Sequence, residues 1–186
     1  MGNADAHSRR GNKNDFYITP FPCVRALIEK AYLPDSFSYL DPCSGSGVIG
    51  KVFGEYGLKI DTAEITEGTD FFDITKKYDC IVCNPPYSKK DLFLEHAFSI
   101  AEHVFFILPY NVGNYNRFHS DYMARPEFIG KYLMTPKFFM TEEETENPKR
   151  GGISAYAWYY WRPKTKRKEI ESFERYLNLN DYFTTS

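Results

Sequence analysis

The stretch that most constrains this chain is Tyr78-Asp79-Cys80-Ile81-Val82-Cys83-Asn84-Pro85-Pro86-Tyr87-Ser88. Cys80 to Cys83 form a short apolar run of the kind that makes a buried strand. Two prolines end it. Neither Pro85 nor Pro86 has an N–H and both fix φ, so the strand cannot continue and the chain leaves the sheet rigidly. The carbonyls of such a turn have no ladder partner, and the Asn84 amide stands beside them, so acceptors converge on one point. Tyr87 follows with a flat aromatic face. A turn of this composition can hold an amino group by its hydrogens while a ring stacks on the planar system carrying it. The bland alternative is a strand end closed by a proline turn, but Asn-Pro-Pro-Tyr after an apolar strand is much rarer than Pro-Pro alone.

The chain of 186 residues is long enough for one α/β domain with a real core. Its formal charge of −2 gives no global basic footprint, so any nucleic-acid contact must rest on local clusters. With 15 Tyr and 16 Phe, much of the aromatic content must be core, as in a small parallel sheet covered on both faces. Cys80 and Cys83 have C-x-x-C spacing, but with Cys23 and Cys43 they form no second pair and no histidine stands at ligand spacing. Buried thiols are expected, with no metal. No signal peptide or membrane-length apolar run is present, so a cytoplasmic protein without membrane contact is expected.

In chain order, residues 1–14 are polar, with Arg9, Arg10 and Lys13, and read as a disordered arm. Thr19 suits an N-cap and Pro20 the first position of a helix whose stripe is Val24, Leu27, Ile28 and Ala31. Phe37–Asp41 reads as the first strand, followed by Pro42-Cys43-Ser44-Gly45-Ser46-Gly47 and a helix from about Val48. Gly-x-Gly lets the backbone pass close to a ligand. Gly45, Gly47 and Gly50 also satisfy the dinucleotide pattern literally, so spacing alone does not exclude a nicotinamide cofactor. Asp41, four residues before Gly45, suits a cationic amino group, whereas a pyrophosphate would be repelled. The second strand is Leu58–Ile65, and Glu64 stands about 20 residues past the glycine turn, where a Rossmann-like fold sets an acid against ribose hydroxyls. Asp61 is the mid-strand alternative. Asp70-Phe71 follows, with Asp73 as a helix or turn cap.

After the Asn84 turn a helix through about Ala101 carries Leu92, Phe93, His96, Ala97 and Ile100, with His96 as packing. His103–Pro109 is the next buried strand, its end Tyr110–Asn114 a loop on the site side, and a short helix spans Tyr115 to Met123. Strands are expected at Ile129–Thr141 and Ser154–Arg162, joined by a long, mobile loop whose acidic half is solvated surface. Lys149 and Arg150 on its glycine hinge, and Arg162, Lys164, Lys166, Arg167 and Lys168 beyond, are candidates to follow a phosphate backbone.

Three of these segments carry a resemblance. Asn84-Pro85-Pro86-Tyr87 resembles motif IV of the S-adenosylmethionine-dependent methyltransferases that modify exocyclic or amide nitrogens. Phe16-Tyr17-Ile18-Thr19-Pro20 resembles motif X of DNA amino-methyltransferases, which closes over the methionine end of the cofactor, and Asp41–Gly47 resembles motif I. Asp70-Phe71 resembles motif III, flanking adenine. Their order, covering roughly residues 14 to 115, looks like the gamma-type N6-adenine DNA methyltransferases.

The resemblance implies a class I methyltransferase: a Rossmann-like doubly wound α/β sheet with an antiparallel C-terminal edge. Residues 15–165 would be catalytic and 166–186 a helical tail. It implies S-adenosylmethionine held by Tyr17, Thr19, Pro20, Asp41, Gly45, Gly47, Glu64, Asp70, Phe71 and Asn84. Transfer of its methyl group to N6 of an extruded DNA adenine would fall to Asn84, Pro85, Pro86 and Tyr87. Such enzymes usually carry a sizeable target-recognition domain, but only about 70 residues follow here, which leaves recognition to a specificity subunit or makes it relaxed. RNA or protein glutamine amides as substrates, and a non-catalytic nucleic-acid-binding subunit of the same fold, are the other readings.

Overall fold

Strand β3 (Tyr78–Cys83) is buried on both sides, and its alternation sorts the molecule into two cores. Cys80 and Val82 enter one, Ile81 and Cys83 the other. The structure, a computed structural model, describes residues 17–138, 140, 143–151, 155–163 and 172–183. The predicted arm, residues 1–14, lies outside them, as do Lys164, Lys166, Arg167 and Lys168.

Helices α1 (Phe21–Lys30) and α2 (Val48–Glu55) cover the first face, burying Val24, Leu27, Val52 and Phe53 against it. Helix α3 (Lys90–Ile100) covers the second with Phe93, Leu94, Ala97 and Ile100. Each of the larger side chains contributes roughly 1.5–3 kcal/mol by leaving water, and Ala97 less.

The other strands are β1 (Tyr39–Asp41), β2 (Ile60–Thr62), β4 (Ala101–Pro109), β5 (Phe128–Thr135), β6 (Tyr156–Trp161) and β7 (Phe173–Asn178). They form one sheet in the order β2-β1-β3-β4-β6-β5-β7. The first four are parallel, β6 is antiparallel to both β4 and β5, and β7 runs parallel to β5. This is the expected doubly wound mixed sheet, but its antiparallel strand, β6, lies inside the sheet, and the edge strand β7 beyond it again runs parallel to β5. The order reverses between β1 and β3, and a crevice at the carboxyl ends of strands forms at such a switch point.

Four local expectations change. The tail is not wholly helical, because β7 occupies residues 173–178 of it. Alternation explains this: Leu177 is buried and Phe173 packs edge-on against Tyr132 at 5.0 Å. Gly130 of β5, at φ 151°, lets β7 approach, since a Cβ there would stand 2.4 Å from the Phe173 carbonyl oxygen. The first two strands are shorter than expected. The segment 115–123 resolves into one α turn (Asn116–Phe118) and a π turn (His119–Met123).

Lastly, the described part of the 141–152 loop is docked rather than loose. Glu146 and Glu55 share the Arg25 guanidinium, Glu144 meets Lys51, and the Phe21 N–H donates to the Thr145 carbonyl at 3.2 Å. These partners lie on α1 and α2, far away in sequence.

Cys23, Cys80 and Cys83 are buried free thiols whose pKa values burial pushes up, which leaves them inert. Among the described residues no group of three or more His, Cys, Asp or Glu is placed to hold a metal, and no helix is long and apolar enough to cross a membrane.

Candidate active site

Past Asp41 the chain turns through Pro42–Gly47 into α2. Gly45 at φ 50° and Gly47 at φ 80° take the left-handed conformation that only glycine adopts freely, and Gly47 is the residue that opens the helix. Over this turn lies a cavity of about 450 Å³. Its walls are Tyr17–Thr19, the glycine turn, Glu64–Thr66, Asp70–Phe72, Asn84 with Pro86, and Phe93. Segments far apart in sequence thus meet at the switch point.

Of the predicted site residues, Tyr17, Thr19, Gly45, Glu64, Asp70, Phe71, Asn84 and Pro86 line this cavity, whereas Pro20, Asp41, Gly47, Pro85 and Tyr87 do not. Thr19 does not cap α1. Pro20 is the N-cap residue and no side chain caps it, while Thr19 is 4 % exposed on the cavity wall. The first helical N–H finds the Thr145 carbonyl instead.

Asp41 sits beneath the glycine turn, fully buried. One carboxyl oxygen accepts the Cys43 N–H at 3.3 Å, and the other, Oδ2, has no partner among the described residues. Burial pushes its pKa up to about 7, the Cys43 N–H pulling it back slightly and the Glu64 charge adding to the rise. An orphaned buried acceptor costs stability when ionised. Because the folded pKa lies above the unfolded one, this group's stabilising contribution is complete below about pH 4 and is lost as pH rises through about 7. Asp41→Asn is therefore expected to raise the melting temperature of the ligand-free protein at pH 8 and to change it little at pH 4. A parallel shift at both pH values would mean that Asp41 does not titrate in this window.

Glu64 holds the turn from the other side. Its Oε2 accepts the Gly45 N–H at 3.0 Å, and Oε1 accepts the N–H and hydroxyl of Thr66 at 3.2 and 3.1 Å. A carboxylate accepts about four hydrogen bonds, so this wall residue retains capacity for one more. Asp61 is no alternative: Lys76 at 2.7 Å and the Tyr78 hydroxyl at 2.8 Å engage it, and they hold its pKa below the usual carboxylate range.

Asp70 accepts the Phe72 N–H at 3.0 Å and so opens a 3-10 turn, Phe71–Asp73. The capping role considered for Asp73 thus belongs to Asp70. Phe71, Phe72 and Phe93 pack together, with ring centroids 5.1 Å apart from Phe93 to each of the others, and give the cavity an aromatic end. The sequence reading missed Phe72 and Phe93. Phe93 lies on a helical stripe indistinguishable from core, and the doubled phenylalanine after Asp70 was its neighbour's one signal. His96 is packing, as expected: its ring bonds the Ile74 carbonyl and stands edge-on to Phe71.

The Asn84 turn leaves β3 as the prolines require, and the Pro86 carbonyl accepts the Lys89 N–H at 2.9 Å. The Asn84 Nδ2 donates to the Tyr17 carbonyl at 2.7 Å. The Tyr87 ring lies nearly parallel to Tyr17, centroids 6.2 Å apart, with Tyr156 6.5 Å away on β6. Three tyrosines thus border the turn, of which Tyr17 also lines the cavity and Tyr87 and Tyr156 do not. Among the basic candidates, Lys149 and Arg150 are exposed, and the Arg150 guanidinium lies over Phe183 at 5.2 Å. Arg162 lies at the end of β6 away from the site. It follows Trp161, which pairs with Val104 at the start of β4, whereas Tyr156 pairs with Pro109 at the end that carries the site. An antiparallel strand of this length sets the two ends about 15–20 Å apart.

Neither a scan against protein-family models nor a sequence search of curated proteins gives a match. Solved structures do match in fold. A proposed RNA methyltransferase of Pyrococcus horikoshii superposes with a TM-score of 0.56 at 15% identity, covering 85% of this chain and 95% of that one. A proposed class I S-adenosylmethionine-dependent methyltransferase of Listeria monocytogenes gives 0.60 at 11% identity, with 92% and 68% covered. The M protein of the type I restriction enzyme EcoKI gives 0.52 at 13% identity over 80% of this chain but 44% of its own length. The chain has the fold of the class I S-adenosylmethionine-dependent methyltransferases.

Proposed function

We propose that this protein transfers a methyl group from S-adenosylmethionine to an amino nitrogen of a nucleic-acid base, adenine N6 in DNA being the preferred target. The observation that carries the reading is the placement of Asn84. The Asn-Pro-Pro-Tyr turn ends β3 at the switch point, and Asn84 stands on the wall of a cavity built from the glycine turn, Glu64 and an aromatic end. That cavity suits the cofactor by its chemistry: a backbone turn open to close approach, an acid for ribose hydroxyls and aromatic rings for adenine. Asp41, buried beneath the turn and outside the cavity wall, would act on a cationic amino group only through its charge.

When bound, the cofactor supplies a methyl group already activated on a sulfonium. The chain's residues deal with the nucleophile. The lone pair of adenine N6 is delocalised into its ring, so the nitrogen is weakly nucleophilic. The Asn84 carboxamide oxygen and the Pro85 carbonyl accept its two hydrogens, favour a tetrahedral nitrogen, and direct the lone pair into the cavity. These bonds strengthen as positive charge develops on nitrogen, which is the differential stabilisation that catalysis needs. Tyr87 stacks on the extruded base and offsets ~1–3 kcal/mol of the unstacking cost.

RNA is the second reading, and one observation favours it: the chain matches 95% of the Pyrococcus horikoshii protein, a proposed RNA methyltransferase of similar extent. Incubation with methyl-labelled cofactor and separate pools of duplex DNA, RNA and protein, then nucleoside analysis, tests the proposal. Label in N6-methyladenine from DNA is expected; label only in RNA or protein would reassign the substrate. Lys149 and Arg150 supply the phosphate contact in this reading. Their replacement by glutamine should weaken all DNA sequences alike and reduce the salt slope of binding by about 1–2. An unchanged slope would return both to solvated surface.

A further inference from the structure

The amide of Asn84 has two ends, and methyl transfer as proposed above, on which this inference rests, uses only one. The oxygen serves the target amine. The nitrogen is already committed, donating to the Tyr17 main-chain carbonyl across 67 positions of sequence at 2.7 Å. A primary amide can rotate by half a turn and exchange donor for acceptor with almost no change of shape. Flipped, it would set its oxygen against the Tyr17 carbonyl, acceptor against acceptor, and offer N–H groups to an amine whose own hydrogens need acceptors. The Tyr17 carbonyl removes that state.

We infer that the Tyr17 carbonyl is the positioning group for methyl transfer, fixing the Asn84 amide with its oxygen toward the target, and that Tyr17–Thr19 thereby couples the cofactor cavity to the substrate turn. Tyr17, Ile18 and Thr19 are cavity wall, and the segment continues into α1, whose first N–H is tied to the Thr145 carbonyl. Where this segment is seated, Asn84 is oriented; where it is displaced, the amide is free to turn.

The consequence is a requirement for a donor at position 84 as well as an acceptor. Asn84→Asp keeps the shape and supplies oxygens. Ionised, its carboxylate faces the Tyr17 carbonyl with no hydrogen between them, so it must swing away or displace the segment. Protonated, it regains an O–H donor for Tyr17 and keeps a carbonyl oxygen for the amine. Proximity to the carbonyl disfavours the ionised form, which raises the carboxyl pKa.

The test is single-turnover methyl transfer by wild type, Asn84→Asp and Asn84→Ala across about pH 5.5–8.5, at saturating cofactor and nucleic acid. The ratio of the aspartate variant's rate to that of wild type should rise about tenfold for each unit the pH falls, levelling below the carboxyl pKa. A ratio independent of pH, with the alanine variant inactive, would overturn the positioning role and leave the acceptor role standing. An alanine variant as active as wild type would instead remove Asn84 from the reaction altogether. A measurement on the unaltered protein guards against a variant that fails to fold. The side-chain NH2 of Asn84 should exchange with solvent at least tenfold more slowly than those of the exposed Asn114 and Asn116, and equal rates would contradict the bond to Tyr17.

Discussion

Asn84→Ala is expected to slow methyl transfer 10²–10³-fold at saturating cofactor and nucleic acid, while the affinity for cofactor changes less than threefold. The size follows from the role. Removing one preorganised acceptor from a developing charge costs about 3–4 kcal/mol of transition-state stabilisation, and each 1.36 kcal/mol is tenfold in rate. The selectivity follows from placement. Asn84 is one residue of the cavity lining, whereas the glycine turn, Glu64 and the Phe71–Phe72–Phe93 group form most of the wall. Single-turnover measurements separate this from slow product release. A tenfold loss of cofactor affinity with an unchanged rate of transfer would make Asn84 a cofactor residue and leave the turn without its acceptor.

That the turn stands at the site was legible because each of its constraints is local. Two prolines after an apolar run can only end a strand, and a Gly-x-Gly after another can only be a tight turn. Where those strands lie is then a matter of parallel topology, which brings the ends of β1 and β3 side by side. Three features were not legible, each for its own reason. Thr19 has the chemistry of a cap, but a hydroxyl two residues before a helix can turn inward, and the competing donor site was satisfied by Thr145 from another part of the chain. The acidic run 142–146 reads as solvated because its cations, Arg25 and Lys51, lie 121 and 93 positions away from Glu146 and Glu144. Strand β7 was hidden by the basic run before it and by the exposed Arg175 that stands between Phe173 and Leu177 on the face it packs, although the glycine at 130 points to a closely paired neighbour.

Glu64→Ala should weaken cofactor binding by about 2–4 kcal/mol, a 30- to 1000-fold rise in Kd, with the fold retained. Two losses combine. The first is the charge-assisted bond that the remaining capacity of the carboxylate would give the ribose in the proposed cofactor site. The second is internal: without Glu64 the N–H groups of Gly45 and Thr66 lose their shared acceptor, and the turn over which the ligand lies is no longer tied to the segment after β2. Glu64→Gln separates these. A glutamine has one acceptor oxygen where the carboxylate has two, so it can serve Gly45 or Thr66 but must set an NH2 against the other N–H. Its defect should therefore approach that of alanine despite the matched shape. Calorimetric titration with S-adenosylmethionine measures all three proteins, and thermal melting shows that each is folded. A glutamine variant with wild-type affinity would show that the charge and the second acceptor are both dispensable. An alanine variant with wild-type affinity would take Glu64 out of the cofactor site, and the role could not pass to Asp61, whose carboxylate is already engaged by Lys76 and Tyr78.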